Sequence, residues 1–379
     1  MAATDSYAGG DGRLSPLSTP SATRAVLEAH GIGTKYTLGQ NFLVNDDVLK
    51  KIIALAEVGE NDRVLEVGPG IGTLTIALLK HAASVIAIER DPDLPAVLAD
   101  TLHPWREKFA LIEKDALDVT RDDIVAAMVE IGGDTGYPDR ASSAANETAQ
   151  WAVSQSEDCL SESGYPVAPP QEDLQLSLPS KLVANLPYAV AATVVLDYFE
   201  NFPFLDSATI MVQKEVADRM AAAVGTKNYG AYTVKLGLYA EPVGRFAVGP
   251  GNFFPPPRVD SAVIRLNRRV PLMADGAPAS PEVIAAAALM ADAAFTNRRK
   301  TIANSCKTYF SGRGPISLGA GPSAQEGAPG IVLPDDAAIA ERLAAIFDAA
   351  TIDPRRRGET LTQQEFLALG AALLKVTAA

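Results

Sequence analysis

Asn185, Leu186, Pro187 and Tyr188 follow directly on the apolar run at residues 181–184, and their types suit the grip of an exocyclic amine. The Asn185 side-chain oxygen can accept a hydrogen bond from an NH2 group. Pro187 lacks an N–H and stiffens the turn, so the Leu186 carbonyl is left to accept a second bond from the same amine. Tyr188 offers a flat face on which a purine can stack, as extruded or single-stranded bases commonly do.

A second group of residues lies upstream. A β-branched run from Arg63 breaks into Gly68-Pro69-Gly70-Ile71-Gly72 and resumes with helical spacing at Leu74, Leu78 and Leu79. It reads as strand, glycine turn, helix. The next apolar run, residues 85–88, ends in Glu89, roughly 20 residues beyond the turn, where a carboxylate can take both ribose hydroxyls. The loop departs from the dinucleotide pattern, with Pro69 inside it and the acidic Glu66 before it. That form suits a methionine-bearing nucleoside better than a pyrophosphate, which favours open backbone N–H groups. After a third apolar run, residues 109–112, Asp115 stands at a strand end where it can accept from an adenine amino group.

Gly39-Gln40-Asn41-Phe42-Leu43 ahead of the first strand, and Phe253-Phe254-Pro255-Pro256-Pro257 with Val259-Asp260-Ser261 ahead of the last, complete an ordered set. In this order the pieces closely resemble the bacterial small-subunit ribosomal RNA adenine dimethyltransferases of the KsgA or RsmA type. The resemblance covers residues 34–266 and resumes at 295–301 and 357–361. It implies a Rossmann-like sheet binding S-adenosyl-L-methionine, with Asn41 and Leu43 over the methionine end, Gly68 and Gly70 at the close approach, Glu89 on the ribose and Asp115 facing the adenine. Asn185 and Leu186 are implied to hold the target amine, with Asn185 also beside the cofactor, Pro187 shaping the turn, and Tyr188 and Phe253 on either side of the base. The implied partner is 16S rRNA in the small ribosomal subunit, and the implied state is a monomer.

Three rivals remain open. The large-subunit rRNA methylase that confers macrolide resistance shares the superfamily, but residues 298–300 and the Phe-Phe-Pro-Pro-Pro segment lean toward the small-subunit enzyme. Protein-glutamine and DNA-adenine methylases use a related Asn-Pro-Pro-Tyr turn, which Leu186 disfavours. A ribosome-assembly factor with incidental catalysis is the third. Single motifs also have plainer meanings: Asn-x-Pro is often only a turn, Asp91 and Pro92 read as an N-cap and first helical residue, and Phe253 and Phe254 fit an ordinary core.

The elements that must position these residues follow from pattern and composition. At 379 residues and 47% hydrophobic content, the chain has material for two or three domains. Cys159, Cys306 and three scattered histidines fit no disulfide or metal pattern, so no metal is expected. No apolar run is long enough to span a bilayer, and the opening residues are unlike a signal peptide, so a cytoplasmic protein with no membrane partner is expected.

The net charge of −13 opposes RNA binding at face value, because phosphates reward a basic face. Distribution matters more than the total. Residues 130–179 hold nine acidic side chains against Arg140 alone, are rich in Ser, Ala, Gly and Pro, and read as an acidic low-complexity insertion. Residues 290–313 carry Arg298, Arg299, Lys300, Lys307 and Arg313 against Asp292, a net of +4.

Residues 1–24 are polar and expected to be disordered. Strand and helix patterns alternate from about Asp62 to Leu266, which predicts a parallel α/β sheet covered on both faces, within a Rossmann-like domain expected over 25–270. Its last strand, residues 261–266, is antiparallel by resemblance. Residues 271–379 predict a helical domain, with helices over 281–295 and 335–350 and a last one opened by a Thr362–Glu365 capping box. Residues 311–330, rich in Gly, Ser and Pro, read as a loop.

Overall fold

The computed structural model describes residues 12–33, 40–132, 178–311, 316–317, 330–331 and 336–378. Apart from its edges the 130–179 insertion lies outside them, as does most of 311–330, whose described ends pair as a short antiparallel ribbon.

Seven strands form one sheet: β1 (Arg63–Val67), β2 (Ser84–Ile88), β3 (Phe109–Ile112), β4 (Lys181–Asn185), β5 (Ser207–Gln213), β6 (Ala240–Val248) and β7 (Ser261–Arg268). They lie side by side in the order β3-β2-β1-β4-β5-β7-β6. The first five pair in parallel, whereas β7 runs antiparallel to both β5 and β6. Side chains alternate along each strand. Val64, Val85, Val183, Met211 and Val263 face α1 (Pro20–Ala29), α2 (Asp46–Ala56), α3 (Thr73–Leu79) and α4 (Leu94–Thr101). Leu65, Ile86, Leu182, Ile210 and Ile264 face α5 (Arg121–Gly132), α6 (Ala191–Asn201) and α7 (Lys214–Met220). Because both faces are covered, these strands appear in the sequence as unbroken apolar runs rather than alternating ones.

The edge strand β6 is absent from the sequence-based pattern. Pro242 and Gly244 interrupt its periodicity, and the register slips between them. A proline is tolerated there because an edge strand has one side without ladder bonds.

Beyond α8 (Ala231–Gly237) the chain crosses the sheet and enters α9 (Pro281–Phe295), α10 (Ile302–Phe310), α11 (Asp336–Ala349) and α12 (Gln363–Ala378). The Thr362 hydroxyl accepts from the Glu365 N–H at 3.2 Å while the Glu365 carboxylate accepts from the Thr362 N–H at 2.8 Å, closing the expected capping box. Met290, Phe310, Ile346 and Phe366 share a core with Tyr229 and Val234, and the Tyr229 hydroxyl donates to the Leu361 carbonyl at 2.7 Å. The helical core therefore reaches back across position 270 into α8.

Two expectations need correction. Residues 12–24 are ordered: Leu17 is 1% exposed, the Asp46 carboxylate accepts from the Leu14 and Ser15 N–H groups, and Thr19 caps α1 by accepting from Ala22 N–H. The Asp46 bonds are made to α2, more than 30 positions away, so local polarity alone does not reveal them. Asp91 and Pro92 do not open a helix either, since α4 begins at Leu94 with Asp93 in the N-cap position.

Candidate active site

Strand order reverses between β1 and β4, and at such a switch point the carboxyl ends of the strands leave a crevice. A cavity of about 500 Å³ fills it. Asn41, Leu43, Gly68, Gly70, Glu89, Asp115, Asn185, Leu186, Pro187 and Tyr188 all line this one cavity. Residues up to 147 positions apart in sequence thus meet at one place because five parallel strands end on the same side.

The glycine loop after β1 turns through positive φ values of 70° at Gly68 and 60° at Gly70. Glycine is required at 70 on a second ground: a Cβ there would stand 3.0 Å from the Phe42 ring, itself 6% exposed. At 68, a Cβ would lie 3.5 Å from Pro187 Cδ. The glycine loop and the Asn185–Tyr188 turn therefore lie side by side, with room for no more than a methyl group between them.

Glu89, 9% exposed, follows the last residue of β2, with Oε1 accepting from the Arg90 and Asp91 N–H groups at 2.9 Å each. Burial raises its pKa above the ordinary value, and the backbone N–H groups of Asp91, Arg90 and Gly70 offset part of that rise. Asp115 accepts from Leu117 N–H at 3.1 Å and from the Arg90 guanidinium at 2.8 Å. The Leu117 bond and, after it, Arg90 hold its pKa below the ordinary value despite partial burial. Glu89 Oε1 is filled by its two N–H donors, so Glu89 Oε2 and the two Asp115 oxygens are the atoms that keep a lone pair for a ligand donor.

Asn185 ends β4, and its Nδ2 donates to the Asn41 carbonyl at 3.1 Å. That bond fixes the amide's orientation and leaves Oδ1 as the acceptor on its other side. The Leu186 N–H donates to the Met211 carbonyl at 3.1 Å, while the Pro187 carbonyl receives the Val190 and Ala191 N–H groups at the start of α6. The Tyr188 hydroxyl is 2.6 Å from Ser261 Oγ, which tethers the ring to the first residue of β7.

Phe253 departs from expectation. It is 4% exposed, pairs with Leu43 in a two-residue antiparallel ribbon, and is not among the cavity's lining residues. Alternation along the ribbon turns Phe253 into the core and leaves Phe254 outward, where the Arg24 guanidinium lies 5.3 Å from its ring centre. Phe253 acts here by seating Leu43.

Gln40 and Glu66 also line the cavity, although the sequence placed neither against a particular group of the ligand. Gln40 donates from Nε2 to Asp91 Oδ2 at 2.7 Å, a pairing across 51 positions that no local pattern announces. Glu66 is 1% exposed and its Oε2 lacks a hydrogen-bond partner among the described residues. Burial pushes its carboxyl up to about 8, the Thr75 hydroxyl relieving part of this and the Glu89 charge adding to it.

Acidic groups at 89, 91 and 115 around glycine backbone suit a nucleoside carrying positive charge: acceptors can meet its hydroxyls and amino groups, and their field favours a cation. An orphaned acceptor such as Glu66 Oε2 also fits a site completed by a polar ligand. An open sheet of this order, with a glycine loop at its switch point and a carboxylate closing the second strand, defines a Rossmann-like S-adenosylmethionine-dependent methyltransferase. The model of the ribosomal RNA adenine dimethylase family matches residues 33–314. The chain belongs to that family, and S-adenosyl-L-methionine is its cofactor.

Ribosomal RNA small subunit methyltransferase A from a Geobacillus species is 32% identical over 360 residues, covering 95% of this chain and 98% of that protein. The protein of the same name from Enterococcus faecalis is 33% identical over 363 residues, covering 95% and 97%. Among solved structures, a dimethyladenosine transferase from Plasmodium falciparum matches with a TM-score of 0.56 at 20% identity, over 88% of this chain and 98% of its own. The 23S rRNA methyltransferase ErmE matches at 0.50 and 21%, over 88% and 99%. At such identities the two structures speak to the fold alone. Among the described residues no helix is long and apolar enough to cross a membrane.

Proposed function

We propose that this enzyme dimethylates N6 of two adjacent adenosines in the 3′-terminal hairpin of 16S rRNA, acting as a cytoplasmic monomer during small-subunit maturation. The observation that carries the reading is the Asn41–Asn185 hydrogen bond, which presents an amide oxygen beside the glycine loop. The names of the curated relatives support the small subunit over the large one. Residues 25–270 serve as the catalytic unit, and 271–379 as a helical unit bearing Arg298, Arg299 and Lys300 for RNA phosphates.

When bound, S-adenosylmethionine supplies an electrophilic methyl on a sulfonium. Asn41 and Leu43 cover its methionine end, Gly68 and Gly70 admit it, Glu89 holds the ribose and Asp115 the adenine. An aromatic amine is a poor nucleophile because its lone pair is delocalised into the ring. Asn185 Oδ1 and the Leu186 carbonyl accept its two hydrogens and so favour a pyramidal nitrogen aimed at the methyl. Tyr188 stacks on the base, and its Ser261 tether limits the ring's motion. The rate advantage comes from alignment and electrostatics. No strong base is needed, since the alkylated nitrogen is acidic enough to lose its proton afterwards.

Nucleoside mass spectrometry of purified small and large subunits, incubated with the protein and labelled cofactor, tests this. Dimethyladenosine in the small subunit is expected. Label confined to the large subunit, or equal rescue of subunit maturation by wild type and an inactive Asn185→Ala, would favour the rivals.

A further inference from the structure

Gln40 takes no part in the chemistry above, yet it occupies a junction. Its Nε2 donates to Asp91 Oδ2 at 2.7 Å. Asp91 is 2% exposed, accepts from Asp93 N–H through Oδ1 at 3.2 Å, and donates its own N–H to Glu89 Oε1 at 2.9 Å. One residue on from Gln40, the Asn41 carbonyl receives Asn185 Nδ2 at 3.1 Å. Two lines of hydrogen bonds therefore leave adjacent residues: one runs through Asp91 to Glu89 at the ribose end, and the other to Asn185 at the amine end. Beyond them the segment is anchored by pairing of Phe42 and Leu43 with Phe254 and Phe253 and by the Val44 N–H on the Asn252 carbonyl at 2.8 Å.

We propose that Gln40 is a positioning residue that couples cofactor binding to alignment of the target amine. Its bond to Asp91 holds the 40–43 segment in the register at which Asn41 fixes the Asn185 amide. A charge-assisted amide–carboxylate bond against a buried partner is strong enough for this. Glu89 and Asn185 are too far apart in sequence for any local element to join them, and the Gln40–Asn41 pair supplies the join. The inference rests on the roles proposed for those two residues.

Gln40→Glu in the full-length protein sets two carboxylates against each other. The cofactor Kd by calorimetry is expected to rise about 10-fold, and single-turnover methyl transfer at saturating cofactor to slow by about 10-fold, the worth of one hydrogen bond to a charged group. The KM for RNA stays unchanged. Lowering the pH strengthens cofactor binding by this variant, because a shared proton restores the bond. Combining Gln40→Glu with Asp91→Asn exchanges the amide and carboxylate while keeping an oxygen for the Asp93 N–H, and both constants return to within about 3-fold of wild type. Gln40→Leu, which lacks the repulsion, loses affinity and rate without any recovery at low pH. Wild-type affinity and rate in Gln40→Leu, or a folded double variant no better than Gln40→Glu, would overturn the proposal. Cofactor calorimetry needs no RNA, so an error in the assigned RNA substrate leaves this test intact.

Discussion

Glu66→Gln tests the electrostatics of the cavity floor. Wild-type Glu66 has its carboxyl raised from an ordinary 4.5 to about 8 by burial, with the nearby Glu89 charge adding to it. The folded state therefore binds this proton more tightly than the unfolded chain does. The stability this group contributes is complete below about pH 4.5, declines as the pH rises, and is lost by about pH 8. At roughly 1.4 kcal/mol for each tenfold change in proton affinity, the loss has a ceiling near ~5 kcal/mol. Glutamine carries no titrating proton, but its amide brings two donors to a buried position where the carboxyl Oε2 it replaces has no partner among the described residues; an unpaired donor costs ~1–3 kcal/mol. The difference leaves the variant ahead by roughly 2–4 kcal/mol at pH 9, a Tm gain of roughly 2–5 °C for a chain of this length. At pH 5 the wild-type side chain is largely neutral, so the variant gains nothing and is expected to be slightly less stable. Scanning calorimetry of cofactor-free protein at both pH values gives the answer. A Tm difference that is the same at pH 5 and pH 9 would refute the reasoning, because the sign change depends wholly on the perturbed carboxyl.

Glu89→Gln keeps an oxygen for the Arg90 and Asp91 N–H groups but loses the charge offered to the ribose; the cofactor Kd should rise about 10- to 100-fold by calorimetry, the worth of a charged hydrogen bond. Gly70→Ala forces a side chain into positive φ and against the Phe42 ring; a loss of ~1–3 kcal/mol is expected by denaturant unfolding, together with weaker cofactor binding. Tyr188→Phe keeps the stacking face and loses only the Ser261 tether, so methyl transfer should slow by no more than about 3-fold, whereas Tyr188→Ala should weaken catalysis by about 10- to 100-fold, the worth of stacking one base.

Much of the catalytic half was legible because its signals are local. Residues of β1, β2, β3 and β4 are apolar enough to be buried on both faces, and at or within three residues of the end of each comes a residue that the sequence already singled out and that lines the cavity: Gly68, Glu89, Asp115 and Asn185. The Thr362–Glu365 box and the helix at 281–295 likewise depend on neighbours within one turn. Less was legible wherever a residue's partner lies far along the chain. β6 carries a proline that only an edge position excuses, residues 12–24 are ordered by bonds to Asp46, and Phe253 is turned inward by its pairing with Leu43.

From the sequence alone came the kinds of groups present and the order of the elements that end in them, since side-chain chemistry and short-range periodicity belong to the chain itself. Only the tertiary structure decided which atom each group meets. Parallel strands bring their carboxyl ends together, so Asn41 can orient the Asn185 amide and Gln40 can reach Asp91, while burial on that same side raises the proton affinity of Glu66. Hydrogen-bond direction and desolvation depend on distance and exposure in space, and neither is written in the spacing of residues along a chain.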